Sequence, residues 1–284
     1  MLVAERSKTT VSIDEATQET FDFGVFLREY WRKKPLHVRG GADTILGRRW
    51  TEYDFDVALA EARAAGTNIK EVPGELLFIE HVSSFDEGMA ARAAEMRTAL
   101  GVSELWFDTI RTYKVSGIGA HFDHSDNFVL QQHGVKEWSI APPDPISKAD
   151  IARRMMMVPG VGFHEVPEET ALHFTLEAGD VLYIPLFWLH SGVSTGDSLS
   201  VSMVCPAVSL QSAVMPLLLQ VMRQRAMGYQ VIPAFHPEMT PEERQATAEA
   251  LAAATATLLR SLSKDEIVEA VHAVQKQRLP GLSA

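Results

Sequence analysis

The chain has 284 residues, 46% of them hydrophobic, and a formal net charge of −11. That length can bury one sizeable core with a smaller appendage. The acidic charge would repel a phosphate backbone, which disfavours nucleic acid as a partner. The lone cysteine, Cys205, excludes an intramolecular disulfide and fits a reducing compartment. No stretch has the apolar pattern of a signal peptide or a membrane span, so we expect a cytoplasmic protein.

Residues 1–66 are predicted to form an N-terminal helical lead-in. Apolar side chains recur at helical spacing between Phe23 and Trp31, and Pro35 then stops that helix before a short strand. A second helix is predicted to begin at Thr51 and to end at Gly66.

The sequence pattern changes over residues 67–206, where short apolar or alternating runs are separated by Gly, Pro and Asp. Many short strands with frequent turns favour an antiparallel sandwich or barrel over a parallel α/β sheet. The helical period returns over residues 207–284, where capping boxes at Thr240–Glu243 and Ser263–Glu266 precede apolar stripes. We therefore expect a small helical bundle after the β-rich core.

The spacing of His121 and Asp123 is the first sign of chemistry. In an extended chain, residues two apart point to the same face, so one imidazole and one carboxylate would converge. A third ligand is expected from the segment after the turn at Gly179-Asp180, where an apolar strand is predicted to carry His190 at its far end. Two histidines and one carboxylate on one face of a metal are the arrangement of non-haem Fe(II) oxygenases. The open positions would accept 2-oxoglutarate and O2.

A co-substrate with a distal carboxylate also needs a cation inside the barrel. Lys136 is predicted on the strand after the turn at His133-Gly134, with Trp138 and Ile140 on its face. An inward lysine among apolar side chains is costly unless it meets an anion. Asn127 is an even number of positions from His121 and Asp123, so in an extended chain it faces the same side. It is therefore expected to contact 2-oxoglutarate or to order the metal site.

Three segments of the chain resemble a known protein family. The segments HFDHSDNFVLQQHGVKEWSIAPP and AGDVLYIPLFWLH look like the JmjC, or cupin-like, hydroxylases, and especially the branch that contains the asparaginyl hydroxylase of hypoxia-inducible factor. The segment FLREYWRKKPLHVRG is similar to the leading segment of that superfamily. Together these stretches span about Phe21 to Pro206.

The resemblance implies a mainly β fold with α elements: a double-stranded β-helix, or jelly roll, with N-terminal helices and a C-terminal helical bundle. It implies that His121, Asp123 and His190 bind iron and that Lys136 pairs with the distal carboxylate of 2-oxoglutarate. Asn127 becomes a co-substrate contact. Family members place a hydroxyl residue where this chain has Ile118, and the candidates to replace it are Tyr113 and Ser116. The C-terminal helices resemble the dimerising bundle of the superfamily, so we expect a homodimer.

Several alternatives stay open on the sequence. His124, His133, His164 and His173 are other ligands that the composition allows, and Arg111 or Lys114 could replace Lys136. The expected activity is hydroxylation of a protein side chain or a small amino-acid-like molecule, with demethylation sharing the first step. The competing functions are a cupin-like metal-binding or ligand-binding protein without turnover and a dimeric scaffold. Lys136 argues against the former, because a pure metal binder needs no carboxylate clamp.

Overall fold

The computed structural model describes residues 17–18, 20–67, 69–224 and 239–277. The chain divides into two compact units, residues 1–207 and residues 208–284. Residues 1–16 of the predicted lead-in, together with residues 225–238 and 278–284 of the predicted C-terminal region, lie outside the described residues. The division into three parts, 1–66, 67–206 and 207–284, stays a prediction.

Besides two short 3-10 turns, Val82–Ser84 and Glu168–Thr170, five helices are found among the described residues of the first unit. They are α1 (Phe23–Val25, continued by a π-helical turn over Phe26–Tyr30), α2 (Ala42–Leu46), α3 (Glu52–Ala64), α4 (Glu87–Leu100) and α5 (Lys148–Met155). The predicted start of α3 is confirmed by a capping box. The Thr51 hydroxyl accepts from the Asp54 N–H, and the Asp54 carboxylate accepts from the Thr51 N–H.

In the described part of the chain, eleven strands form two sheets. The strands are β1 (Thr17–Gln18), β2 (Leu36–Val38), β3 (Ile69–Val72), β4 (Leu76–Ile79), β5 (Trp106–Thr112), β6 (Ser125–His133), β7 (Lys136–Ala141), β8 (Leu172–Leu176), β9 (Val181–Ile184), β10 (Leu189–Ser194) and β11 (Ser198–Pro206). The large sheet has the order β1-β2-β9-β6-β11-β5-β4-β3, and the small sheet has the order β10-β7-β8. Every pairing is antiparallel except that of β1 with β2. The predicted jelly-roll class is confirmed.

The large sheet has two apolar faces because its central strands are covered on both sides. Along β6, Phe128 and Leu130 point to the core shared with the N-terminal helices, where Phe26 and Phe55 are fully buried. Val129 points the other way and joins Trp138 of β7 in the core between the two sheets. Because both faces of the sheet are covered, β6 is buried at every position except its last, His133. The space between the sheets is therefore enclosed by β6 and its neighbours on one side and by β7 on the other.

The chain crosses from the large sheet to the small one between β9 and β10, and this corrects one prediction. The sequence analysis placed His190 at the far end of a single apolar strand. In the structure that strand ends at Ile184, and His190 is the second residue of β10 in the other sheet. Pro185 accepts from the Trp188 N–H in a tight turn, and Phe187 adopts a left-handed backbone with φ 65°. These two features break the strand, which an apolar run alone does not reveal.

The second unit contains α6 (Leu210–Gln224), α7 (Pro241–Arg260) and α8 (Lys264–Gln277), and α6 packs against α8. Both predicted capping boxes are confirmed. Thr240 exchanges its two bonds with Glu243, and Ser263 does the same with Glu266. Among the described helices, none combines the length and the apolarity that a membrane crossing requires.

Candidate metal and co-substrate site

His121, Asp123 and His190 meet at one point, as predicted from their spacing. The Nε2 atoms of the two histidines are 3.1 Å apart, and each lies 3.7 Å from Oδ2 of Asp123. The three ligand atoms lie within 4.8 Å of one another. His121 comes from the segment before β6 and His190 from β10, and their backbones exchange both N–H···O bonds, at 3.0 and 2.8 Å. The fold itself therefore brings the two imidazoles together.

Hydrogen bonds on the far side of each ring decide which nitrogen carries the proton. Nδ1 of His121 lies 2.8 Å from the Gly119 carbonyl oxygen, and Nδ1 of His190 lies 2.9 Å from that of Trp188. Because a carbonyl oxygen only accepts, each neutral ring keeps its proton on Nδ1. Both Nε2 atoms and the Asp123 oxygen then present lone pairs to one another.

Three mutually facing acceptors fit a cation. The separation of the Nε2 atoms is close to the roughly 3 Å expected for two nitrogens about 2.1 Å from one metal ion at a right angle. Histidines that bind a metal through Nε2 usually donate Nδ1–H to a carbonyl, as both do here. The residues present therefore fit a divalent metal ion.

The charges of the site also suit a divalent cation. Burial would raise the pKa of the Asp123 carboxyl, but His121, His190 and Arg154 outweigh it and hold that pKa at about 2. Burial lowers the pKa of His190 to about 4, and the neighbouring His121 adds to the effect. Near neutral pH the site thus offers an ionised carboxylate beside a neutral imidazole, which are the protonation states that metal binding requires.

Arg154 is a functional residue that the sequence analysis missed. Its Nη2 donates to Oδ1 of Asp123 at 2.6 Å, while Oδ2 of the same carboxylate faces the two histidines. Arg154 lies near the end of α5, in the insert between β7 and β8. The sequence analysis took no functional meaning from this arginine. A capping pattern at Ser147 and Asp150 could have revealed the helix, since the Ser147 hydroxyl accepts from the Asp150 N–H. The contact with Asp123 spans 31 positions and has no local signature.

Asn127 also acts on Asp123. Its amide nitrogen donates to Oδ2 of Asp123 at 3.0 Å, and its amide oxygen lies 3.3 Å from the Ser125 hydroxyl, which donates to it. Of the two roles expected for Asn127, this contact corresponds to ordering the metal site. Asn127 and Arg154 together hold both oxygens of the carboxylate.

Lys136 is buried, with 4% of its surface exposed, and its ammonium lies 5.0 Å from the centre of the Trp138 ring. No carboxylate pairs with this ammonium anywhere in the described ranges. Burial lowers its pKa to about 8. Lys136 lies opposite Ser194 on β10, and His190 lies opposite Ile140, four residues further along β7. That separation corresponds to about 13 Å of strand. Lys136 and the metal ligand His190 therefore lie on the same face of the small sheet, four positions apart in register.

The other predicted anchors lie elsewhere. Tyr113 is 41% exposed and its ring lies 5.1 Å from the Arg111 guanidinium, so the structure does not bring it to the triad. Arg111 is engaged with Glu52 at 3.3 Å, and Lys114 with Glu75 at 2.8 Å. Neither cation has the buried, unpaired setting of Lys136.

Ser116 has an intermediate position. It bridges to Ser194, whose hydroxyl donates to the Ser116 carbonyl oxygen, and Ser194 in turn lies opposite Lys136. Ser116, Ser194 and Lys136 are therefore at matching register positions on three neighbouring chain segments. It remains a candidate contact at the edge of the site.

The alternative histidines do not join the triad. His173 contacts Glu168 at 3.2 Å, and Nδ1 of His164 lies 2.9 Å from the Glu165 carbonyl oxygen. His124 follows Asp123, and its Nδ1 is buried with no partner among the described residues. His133 belongs to a second, mostly exposed group with Glu52 and Asp197. Arg111 contacts both of those carboxylates, so a cation already balances that group.

A double-stranded β-helix that holds two histidines and one carboxylate between its sheets belongs to the cupin-like class of folds. Within this class, residues 91–212 match the family model of the JmjC domain. All three triad residues and Lys136 fall inside the matched segment.

Curated relatives carry related names. A probable ribosomal oxygenase of Haemophilus influenzae is 24% identical over 212 residues, which cover 67% of this chain and 51% of that protein. A bifunctional lysine-specific demethylase and histidyl-hydroxylase NO66 of Culex quinquefasciatus is 26% identical over 240 residues, which cover 72% of this chain and 36% of that protein. The chain thus spans about half of the first relative and about a third of the second.

Solved structures share the fold. The Escherichia coli ribosomal oxygenase YcfD superposes with a TM-score of 0.56 at 18% identity, over 89% of this chain and 70% of YcfD. YcfD in complex with cobalt and 2-oxoglutarate superposes with a TM-score of 0.54 at 18% identity, over 91% of this chain and 72% of YcfD. At this level of identity the likeness supports the fold alone.

Proposed function

We propose that this protein is an Fe(II)- and 2-oxoglutarate-dependent oxygenase that hydroxylates a C–H bond and releases succinate and CO2. One observation carries the proposal. A ligand set that suits a cation and a buried ammonium without a carboxylate partner among the described residues lie on the same face of the small sheet. A metal alone would account for the first feature and leave the buried charge of Lys136 unexplained.

Each residue has a role in this proposal. His121, Asp123 and His190 would hold Fe(II), and Asn127 and Arg154 would keep the Asp123 carboxylate in one orientation. Lys136 would pair with the distal carboxylate of 2-oxoglutarate. When bound, Fe(II) with 2-oxoglutarate and O2 supplies the oxidant that removes hydrogen from a C–H bond. The carboxylate ligand favours hydroxylation over halogenation, which needs that position for a halide.

We further propose a protein side chain as the substrate. The named relatives are a ribosomal oxygenase and a histidyl-hydroxylase that is also a demethylase, so basic proteins are the first candidates. The net charge of −11 supports a basic partner. These relatives favour a ribosomal-oxygenase branch over the asparaginyl-hydroxylase branch that the sequence suggested. A small amino-acid-like molecule is the second candidate.

Assembly and location complete the proposal. We expect the protein in the cytoplasm, as a homodimer that forms through the helices after residue 208. The described helices α6, α7 and α8 carry exposed Met215, Leu219, Leu259 and Val268. A second copy of the same unit could cover these side chains.

The test is turnover by the protein loaded with Fe(II). With 2-oxoglutarate, O2 and ribosomal proteins, we expect succinate and a mass gain of one oxygen on a substrate peptide. Asp123→Ala should abolish both, because it removes the anionic ligand and leaves two imidazoles. Asp43→Ala, which removes an exposed carboxylate of α2, serves as the control. Unchanged succinate formation in Asp123→Ala would refute the assignment of the triad, and metal binding without succinate in the wild type would favour the non-catalytic alternative.

A further inference from the structure

The core between the two sheets contains a second buried donor beside Lys136. The indole N–H of Trp138 is buried and has no acceptor among the described residues. Trp138 is 8% exposed and lies two positions after Lys136 on β7, on the same face. A buried N–H without an acceptor costs free energy, so such groups are rare unless a ligand satisfies them.

The position of the ring places it along the proposed co-substrate path. The centre of the Trp138 ring lies 5.0 Å from the Lys136 ammonium and 6.1 Å from the ring of the metal ligand His190. Gly192 lies directly opposite Trp138 on β10, and a Cβ at Gly192 would stand 2.7 Å from the indole ring. The glycine therefore allows the ring to lie flat against β10, between the triad and the ammonium.

Trp188, in the same core, also has a buried indole N–H without a partner among the described residues, and two further unpaired polar atoms have each other within reach. The Ser200 hydroxyl and the Gln131 amide oxygen are both buried without a partner, but they lie opposite each other in register, so a small rotation of the hydroxyl would join them. The Gln131 amide nitrogen already donates to the His133 carbonyl oxygen and the Ser198 hydroxyl. The Trp138 N–H has no acceptor among the described residues. The Lys136 ammonium, which has no carboxylate partner there, lies 5.0 Å from the centre of the same ring.

We propose that the Trp138 indole N–H and the Lys136 ammonium together hold the distal carboxylate of 2-oxoglutarate. The inference rests on the proposed function and adds a ligand contact that neither spacing nor the comparisons assign. It also accounts for Ile118, which stands at an exposed position where the resemblance implies a hydroxyl donor. With Trp138 as the second donor, the carboxylate has two anchors on one strand, and a ligand without that carboxylate gains nothing from either.

The experiment compares two 2-oxo acids on the Mn(II)-loaded protein without O2. 2-Oxoglutarate carries the distal carboxylate, whereas 2-oxopentanoate has the same chain length and ends in a methyl group. Trp138→Phe keeps an aromatic ring, although a smaller one, and removes the N–H. A hydrogen bond to a charged group makes the expected loss of affinity for 2-oxoglutarate about tenfold to hundredfold. Affinity for 2-oxopentanoate, measured by calorimetric titration, should stay unchanged.

Trp188→Phe is the matched control, because Trp188 has the other buried indole N–H without a partner in this part of the chain, and no described contact joins it to Lys136. The ratio of the two affinities should not move in Trp188→Phe. An equal loss for both ligands in Trp138→Phe, no loss at all, or the same shift in ratio in Trp188→Phe would overturn the inference. A wild type that does not prefer 2-oxoglutarate to 2-oxopentanoate would overturn the proposed function instead.

Discussion

At the scale of single residues, the contact between Arg154 and Asp123 orients the carboxylate of the proposed metal site. The guanidinium holds one carboxylate oxygen at 2.6 Å and leaves the other for the metal. Without it the carboxylate could rotate, and a partner of this kind typically changes metal affinity by about tenfold to a hundredfold. Removing the positive charge of Arg154 would also remove its repulsion of a divalent metal ion. That gain should be small, because the Asp123 carboxylate lies between the guanidinium and the metal position. We therefore expect Arg154→Ala to bind Co(II) at least about tenfold more weakly.

Arg153 provides the control for that measurement. It is the neighbouring residue on α5, it is exposed, and it pairs with Asp150 at 3.5 Å, away from the triad. Titration of metal-free protein with Co(II) against a competing chelator should give wild-type affinity for Arg153→Ala. Equal affinities of Arg154→Ala and Arg153→Ala would remove Arg154 from the site.

Lys136 should give the binding of 2-oxoglutarate a distinct pH dependence. Its pKa is lowered to about 8 by burial, so the free protein loses this positive charge as the pH rises through that value. A carboxylate beside the ammonium raises the pKa again, so binding takes up a proton and weakens as pH rises. Between about pH 7 and about pH 9 the protonated fraction falls from about nine-tenths to about one-tenth, which predicts a roughly tenfold loss of affinity.

Two variants of Lys136 test whether this residue causes the pH dependence of 2-oxoglutarate binding. Lys136→Met should bind 2-oxoglutarate weakly and with no change over this range, because no ammonium is left to titrate. Lys136→Arg keeps its proton throughout, so its affinity should also be independent of pH. Calorimetric titrations of the Mn(II) protein at several pH values measure all three. A flat wild-type profile would place the distal carboxylate elsewhere.

Residues of the site differ in how far the sequence predicts them. His121, Asp123, Asn127 and Lys136 lie within 16 positions, where the alternation of a strand relates their directions. Arg154 and Trp138 were not recognised as parts of the site, since one depends on a contact between distant segments and the other on an unsatisfied N–H. Tyr113 was placed by its chemistry alone, and the structure puts it beside Arg111.

At the scale of elements, capping and alternation predicted three helix starts and the β-rich core, whereas α4, α5 and the crossing between sheets escaped prediction. The starts of α3, α7 and α8 follow from local boxes of four residues. The break between β9 and β10 depends on the left-handed backbone of Phe187, a residue type that rarely adopts it. The strain is offset by hydrogen bonds from Leu186 to Asp126 and from Phe187 to Asp123, which form only in the folded chain.

At the scale of the whole molecule, the exposed apolar side chains of the second unit lead to a prediction about assembly. If two copies cover Leu219 of α6 and Leu259 of α7, charges at these positions should separate them. We expect light scattering to report a dimer at micromolar concentration for the wild type and a monomer for Leu219→Glu with Leu259→Glu. Gln245→Glu introduces the same charge on the polar surface of α7 and should leave the dimer intact. A monomeric wild type would refute the prediction.

The backbone pairing of His121 with His190 has a consequence for how the ion is acquired. Two backbone N–H···O bonds join these residues, and the Nε2 atoms of their imidazoles are 3.1 Å apart. The loss of chain entropy that brings them together belongs to folding and not to metal uptake. Metal uptake should then be accompanied by little ordering of the chain and a small change in heat capacity. The free protein instead carries three lone-pair donors that repel one another, and the ion relieves that repulsion. We therefore expect the metal site to lose and regain its ion while the protein stays folded.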